Sequence, residues 1–237
     1  MSFHDLFLIF HLLLFCYWLG GDLGVFYSSG MVIDPKLSTK ARATAAKIMV
    51  NLDLVPRICM SLTLTVGGVL SEFKGVEHPL WQMIGIVLLG PVWLTMVLTI
   101  HLQEGSALGK TVTRVDFWFR WVLVIYLIIS SVVSLYLGRL DETPWYGFKL
   151  LVFAGLVFCG LMIRRYIGPY AVGIHKLSTG TVTDQDNIAM AHSLNQCRPF
   201  VLAIWVGLLV EAWLGVAEPG GQKVAEVLGA IGGLGLF

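Results

Sequence analysis

Charge is scarce in this sequence. Asp, Glu, Lys and Arg make up 13% of 237 residues against 57% hydrophobic residues, and the mean hydropathy is +0.79. That composition excludes an ordinary soluble domain. Net charge is nearly absent too: 16 basic and 15 acidic side chains leave +1, which gives no pull toward an acidic partner, and no nucleic-acid partner is expected. Cysteine is limited to Cys16, Cys59, Cys159 and Cys197. They lack Cys-x-x-Cys spacing and fall within or at the ends of apolar segments, so they read as small core hydrophobes rather than disulfides or a zinc site. No repeat of fixed period appears, and low-complexity sequence is confined to a glycine-rich end. Long polar loops are missing as well, which leaves no room for a soluble domain.

Six long apolar runs fill the chain, at about 5–29, 45–70, 80–102, 115–138, 145–166 and 188–216. Each is long enough to cross a hydrocarbon core that needs about 20 helical residues. The first has no basic leading region and no small-residue cleavage site, so it is expected to stay as a helix rather than leave as a signal peptide. The expected fold is therefore all-α: a polytopic membrane bundle of about six helices over 1–217, in contact with the lipid bilayer. The stretch 167–187 is expected to be a loop, and the tail 218–237 to lie at the interface or be disordered. Ten Lys and Arg residues fall after the first, third and fifth runs (Lys36, Lys40, Arg42, Lys47, Lys110, Arg114, Arg120, Arg164, Arg165 and Lys176), and four on the other side. By the positive-inside rule those three loops are cytoplasmic and both termini lie outside.

An ionisable side chain within a membrane span is costly unless paired or facing a polar cavity, so each marks a candidate site. Sorted by depth, they form two layers. The inner layer holds Asp22, Asp53, Arg57, His101, His192, Asn195 and Arg198. Asp53 and Arg57 stand four residues apart on one helical face and are expected to pair; Asp22 is the expected partner of Arg198. One reading makes this an ion-pair network that fixes helix packing. Another uses His101 and His192 to clamp a haem iron or, with Asp22 or Asp53, a divalent metal. The outer layer holds His11, Lys149 and Glu211, with His78 in an outer loop. His11 lies about two turns into the first run, where a neutral imidazole needs a hydrogen-bond partner or a metal.

His11, Trp18, Gly20 and Gly21, in "HLLLFCYWLGG", form a pattern that resembles the first helix of the superfamily of small bacterial membrane proteins containing the copper-resistance D family and the HemJ-type protoporphyrinogen oxidases. Trp145 and Lys149, in "PWYGFKLLVFAGLVF", are similar to the Trp-x-x-x-Lys-Leu helix of the same group. The resemblance implies a multi-pass protein of the bacterial inner membrane, with His11 and Lys149 serving haem binding and activity. It departs from the oxidases in length, since they commonly have about four helices, and from copper carriers in its scattered methionines.

Haem b suits such a site better than free copper. It is an apolar disc that needs only one or two imidazoles, whereas copper(I) prefers soft sulfur and only Cys16 is near. Three functions follow as expectations. The first is a haem b-binding redox protein, for electron transfer or as a haem-dependent oxidoreductase, with His11 as axial ligand, Lys149 on a propionate, Trp18 beside them, and Gly20 and Gly21 letting the macrocycle approach the backbone. A redox partner protein and an oligomer are compatible with it. The second is a metal-ion, copper-type transporter using His11, His101, His192, Asp22 and Asp53. The third is a membrane anchor subunit whose basic loop at 36–47 docks a partner or lipid headgroups. No catalytic residue is assigned.

Overall fold

In the computed structural model, which describes residues 2–220, the described residues form eight α-helices and no strands. They are α1 (Phe3–Val32), α2 (Thr39–Leu52), α3 (Leu54–Glu72), α4 (Leu80–Leu102), α5 (Ala107–Tyr136), α6 (Pro144–Tyr166), α7 (Gly168–Ser178) and α8 (Asp184–Ala217). Six spans are long and apolar enough to cross a membrane: α1, α2 and α3 together over Thr39–Glu72, α4, α5, α6 and α8. The protein is a membrane-spanning helical bundle. Its outer surface carries Leu13, Leu88, Ile129 and Leu209 among many exposed apolar side chains, the surface that a bilayer covers. Most of the tail, from 221 onward, lies outside the described residues.

The helix packing divides the described residues into two compact units, 2–117 with Gly160–Leu202, and Trp118–Cys159 with 203–220. In the first unit, α1 starts with a capping box in which the Ser2 hydroxyl accepts from Asp5 N at 3.1 Å and Asp5 Oδ2 accepts from Ser2 N at 2.9 Å. That box satisfies backbone donors that a helix start otherwise leaves open. The second span begins earlier than its apolar run, at Thr39 behind an Ser38 cap, and breaks at Asp53. Pro56 explains the break: it has no N–H to give to the Leu52 carbonyl, so one helix ends and the next starts with proline in its first turn.

A second device joins α3 to α4. The Thr65 hydroxyl donates to Ile86 O at 2.6 Å and accepts from Gly90 N at 2.7 Å. Residues 86 and 90 are a backbone hydrogen-bonding pair of an ordinary helix, so Thr65 reaches the α4 ladder one residue before the helix-breaking Pro91 and gives both groups a side-chain partner.

The stretch 167–187, expected as a loop, instead contains α7. Pro169 opens the helix, where a missing N–H costs nothing, and Tyr170, Gly173 and Leu177 recur on one buried side. Burial keeps the Tyr170 phenol protonated well above its usual range, and its hydroxyl donates to Ser29 O at 3.1 Å and contacts Met49 Sδ at 3.3 Å. With Val32, Ala45, Ala46, Met190 and Leu194 these residues form a core that ties α7 to α1, α2 and α8. Gly173 is required there because any side chain would collide with Met190. In the second unit, Ser131 of α5 donates to Gly147 O of α6 at 2.6 Å, and Gly207 of α8 admits Leu156 of α6, whose Cδ2 would lie 2.5 Å from an added Cβ.

Candidate functional site

His11, Leu14, Trp18 and Asp22 are spaced by three or four residues and so share one side of α1. Leu14 and Trp18 are buried, which places that side against the protein. His11 stands eight residues into α1, about 12 Å along the axis at 1.5 Å per residue. Its ring rests on Gly67 of α3: a Cβ there would come 3.2 Å from His11 Cε1 and 3.9 Å from both ring nitrogens. His11 Nδ1 is buried. The glycine thus provides a notch that fits an imidazole and would press on it if filled by any larger residue.

The helix-one glycines have other uses than the one expected. A Cβ on Gly21 would lie 2.8 Å from Pro56 Cδ and 3.5 Å from Val55 Cβ, so Gly21 lets α3 approach α1 at the Asp53 break. Gly20 has nothing within 4 Å of an added Cβ. Gly21 is occupied by helix packing, and only Gly20 leaves backbone open to a large flat group.

Lys149 belongs to the second unit, as does Glu211. The ammonium stands 3.5 Å from Glu211 Oε2 and donates to Glu211 O at 3.1 Å. One turn on, Gly215 makes room for it, since a Cβ there would be 2.9 Å from Nζ. Both groups are largely buried, with side-chain exposures of 21% and 13%; a partnered pair can be kept there at a cost that either charge alone would exceed. Sequence depth places Lys149 and Glu211 in one layer without pairing them, and assigns the lysine to a propionate. Two of its three donors are instead engaged by Glu211.

The inner layer is assembled only in part. Asp53 and Arg57 form the expected ion pair. Asp22 and Arg198 do not: Arg198 donates to Asn195 Oδ1 at 3.2 Å and lies 5.5 Å over the Phe26 ring, with its NH2 3.9 Å from where a Gly30 Cβ would be. Residues 22, 26 and 30 lie along one stripe of α1, so Arg198 reaches the right side of the helix but one to two turns past the aspartate. Asp22 is set instead within electrostatic reach of Asp53. His101 ends α4 and His192 is exposed on α8. Among the described residues no three His, Cys, Asp or Glu side chains converge on a metal-ion site. The ion site expected from Asp22, Asp53, His101 and His192, and the metal set of His11, His101 and His192, are therefore not formed.

Asp116 and Arg42 are among the buried charges missed in the sequence, as is Arg120, which also counts there as a loop cation. Asp116 of α5 is fully buried, 2.7 Å from Arg164 of α6, and accepts from Trp93 Nε1 of α4 at 3.0 Å. Asp116 lies at the first residues of an apolar run and Arg164 in a basic cluster, where both read as interfacial. The usable signal was that the two stand at the same membrane face, one acidic among three nearby cations. Arg42 likewise counts as a loop cation, yet it is buried: Nε donates to Val32 O at 2.6 Å and NH2 to Asn187 Oδ1 at 2.7 Å. It closes the C-terminus of α1, where an open carbonyl and the helix dipole favour a cation.

Compared with family models, with curated proteins and with solved structures, the chain matches none.

Proposed function

We propose that this membrane-spanning bundle is a haem b-binding redox protein of the copper-resistance D and HemJ-type superfamily, with His11 as an axial ligand. The observation that carries the reading is the seating of the His11 imidazole deep in α1 against the Gly67 notch. Ligation of a haem asks for one or two imidazoles, and His11 supplies one on a rigid helix. A copper or divalent ion asks for a converging donor set, which the described residues do not assemble, so the transporter reading is the weaker. Bound haem supplies one-electron redox chemistry. Leu14 and Trp18 are buried on the same side of α1 as His11, which turns that side toward the protein rather than toward lipid. The ten-to-four loop bias supports an orientation with both termini outside, and the resemblance implies the bacterial inner membrane.

The test is an absorption spectrum of full-length protein purified from iron-replete cells. A Soret band that His11→Ala removes, and that His101→Ala and His192→Ala keep, is the expected result. A colourless preparation after haem supplementation overturns the proposal.

A further inference from the structure

A groove of about 320 Å³ runs between α2 and α7 in the first unit. Its floor is apolar, from Ala43, Ala46, Val50 and Ile174, and Lys47 lies on its wall. Lys40 is three residues before Ala43 and seven before Lys47, so it continues the same side of α2 about 10 Å nearer the helix start. Both lysines are exposed, and no ion pair or side-chain hydrogen bond engages either among the described residues. The neighbouring cations are committed elsewhere: Arg42 to Val32 O and Asn187, and Lys176 to Asp186 at 2.7 Å. No acidic side chain lines the groove.

The direction of the groove is informative. The turn between α1 and α2 joins two membrane spans and so lies at a membrane face; α2 enters the bilayer from there. Lys40 is then nearest the water, Lys47 one to two turns deeper, and Val50 deepest. Ile48 and Val50 are exposed on α2 and Val172 on α7, so the groove opens onto apolar surface rather than onto solvent. A soluble anion would find the charge but would leave the apolar floor uncovered. A molecule with a phosphate at one end and a hydrocarbon chain at the other satisfies both.

We infer that the α2–α7 groove is a binding site for one anionic phospholipid, with its phosphate between Lys40 and Lys47 and an acyl chain along Ala43, Ala46, Val50 and Ile174. The site is separate from His11 and does not depend on the haem reading. Its occupant bridges α2 to α7, the two elements that otherwise meet through the Tyr170 core.

Native mass spectrometry of the full chain in detergent tests it, with phosphatidylglycerol and phosphatidylcholine of identical acyl chains as probes. The expected result is preferential retention of one phosphatidylglycerol. Lys40→Gln and Lys47→Gln each lower its occupancy about fivefold, equivalent to about 1 kcal/mol per lysine, while Lys36→Gln, outside the groove, leaves it unchanged. Ala43→Phe, which fills the floor without altering charge, also lowers it. Equal retention of the two lipids overturns the site. So does an equal loss in Lys36→Gln, which would mean diffuse surface charge, or full displacement by millimolar inorganic phosphate with no effect of Ala43→Phe, which would mean a soluble-anion site.

Discussion

Asp116 has no solvent exposure, and its partners include the Arg164 guanidinium at 2.7 Å and the Trp93 indole N–H at 3.0 Å. Removing one member of such a pair leaves the other charge buried without compensation, which costs about 3–5 kcal/mol. Arg164 retains a quarter of its side-chain exposure, so the lower end of that range applies. Asp116→Ala is expected to destabilise the protein by about 3 kcal/mol, read as a fall in the thermal midpoint in detergent. Asp116→Asn keeps an oxygen for the Trp93 donor and should cost less. The double variant with Arg164→Met should recover part of the loss, because the Arg164 charge is then not left without Asp116; equal midpoints for the single and double variants would show that the pair is not coupled. The same comparison explains what sequence reading missed. Counting Arg164 as a loop cation uses only its position along the chain, whereas its role depends on a side chain long enough to turn back toward α5.

Among the elements, what was legible followed from pattern strength. All six spans were visible because about 20 apolar residues in a row leave few alternatives. The first half of α2 was not, since Thr39–Lys47 is polar and its helix is stabilised by the Ser38 cap and by packing of Ala45 and Ala46. Helix α7 was hidden for the opposite reason: Gly-Pro and a Thr-rich end signal a loop, while the Tyr170, Gly173, Leu177 spacing that marks the helix covers only two turns. Thr65 shows an interaction that no linear pattern contains. Its hydroxyl bonds two backbone groups of another helix, 21 and 25 residues away. Thr65→Val keeps the shape and deletes the hydroxyl, leaving Ile86 O and Gly90 N without their bridge in an apolar setting. An unmade buried hydrogen bond costs about 1–3 kcal/mol, so a loss of about 2 kcal/mol is expected on unfolding in detergent. Thr65→Ser, which retains the hydroxyl, should lose much less. If the valine and serine variants unfold alike, the bridge does not stabilise α4.

For the whole molecule, loop charge gives an expected orientation, while the division into two units has no counterpart in the sequence pattern. Orientation depends on a sum over short loops, and sums survive ignorance of structure; the units depend on which side chains interlock, such as Gly21 with Pro56 and Gly207 with Leu156. The candidate site shows the same split. His11 was singled out because a deep histidine is rare, but its seat on Gly67 and the commitment of Lys149 to Glu211 are properties of partners far along the chain. Orientation can be tested at two exposed loop residues on opposite faces, Glu77 between α3 and α4 and Glu104 between α4 and α5. Joined through the single span α4, they must lie on opposite sides of the membrane. With a membrane-impermeant maleimide added to intact cells, Glu77→Cys should label at once and Glu104→Cys only after permeabilisation. The contrast is unaffected by Cys59 and Cys197, which are buried, and labelling of the cysteine-intact parent gives the background from Cys16 and Cys159. The reverse labelling order would place the ten basic residues outside, against the translocation cost that makes cytoplasmic loops rich in lysine and arginine, and would put the Lys40 and Lys47 groove in the outer leaflet.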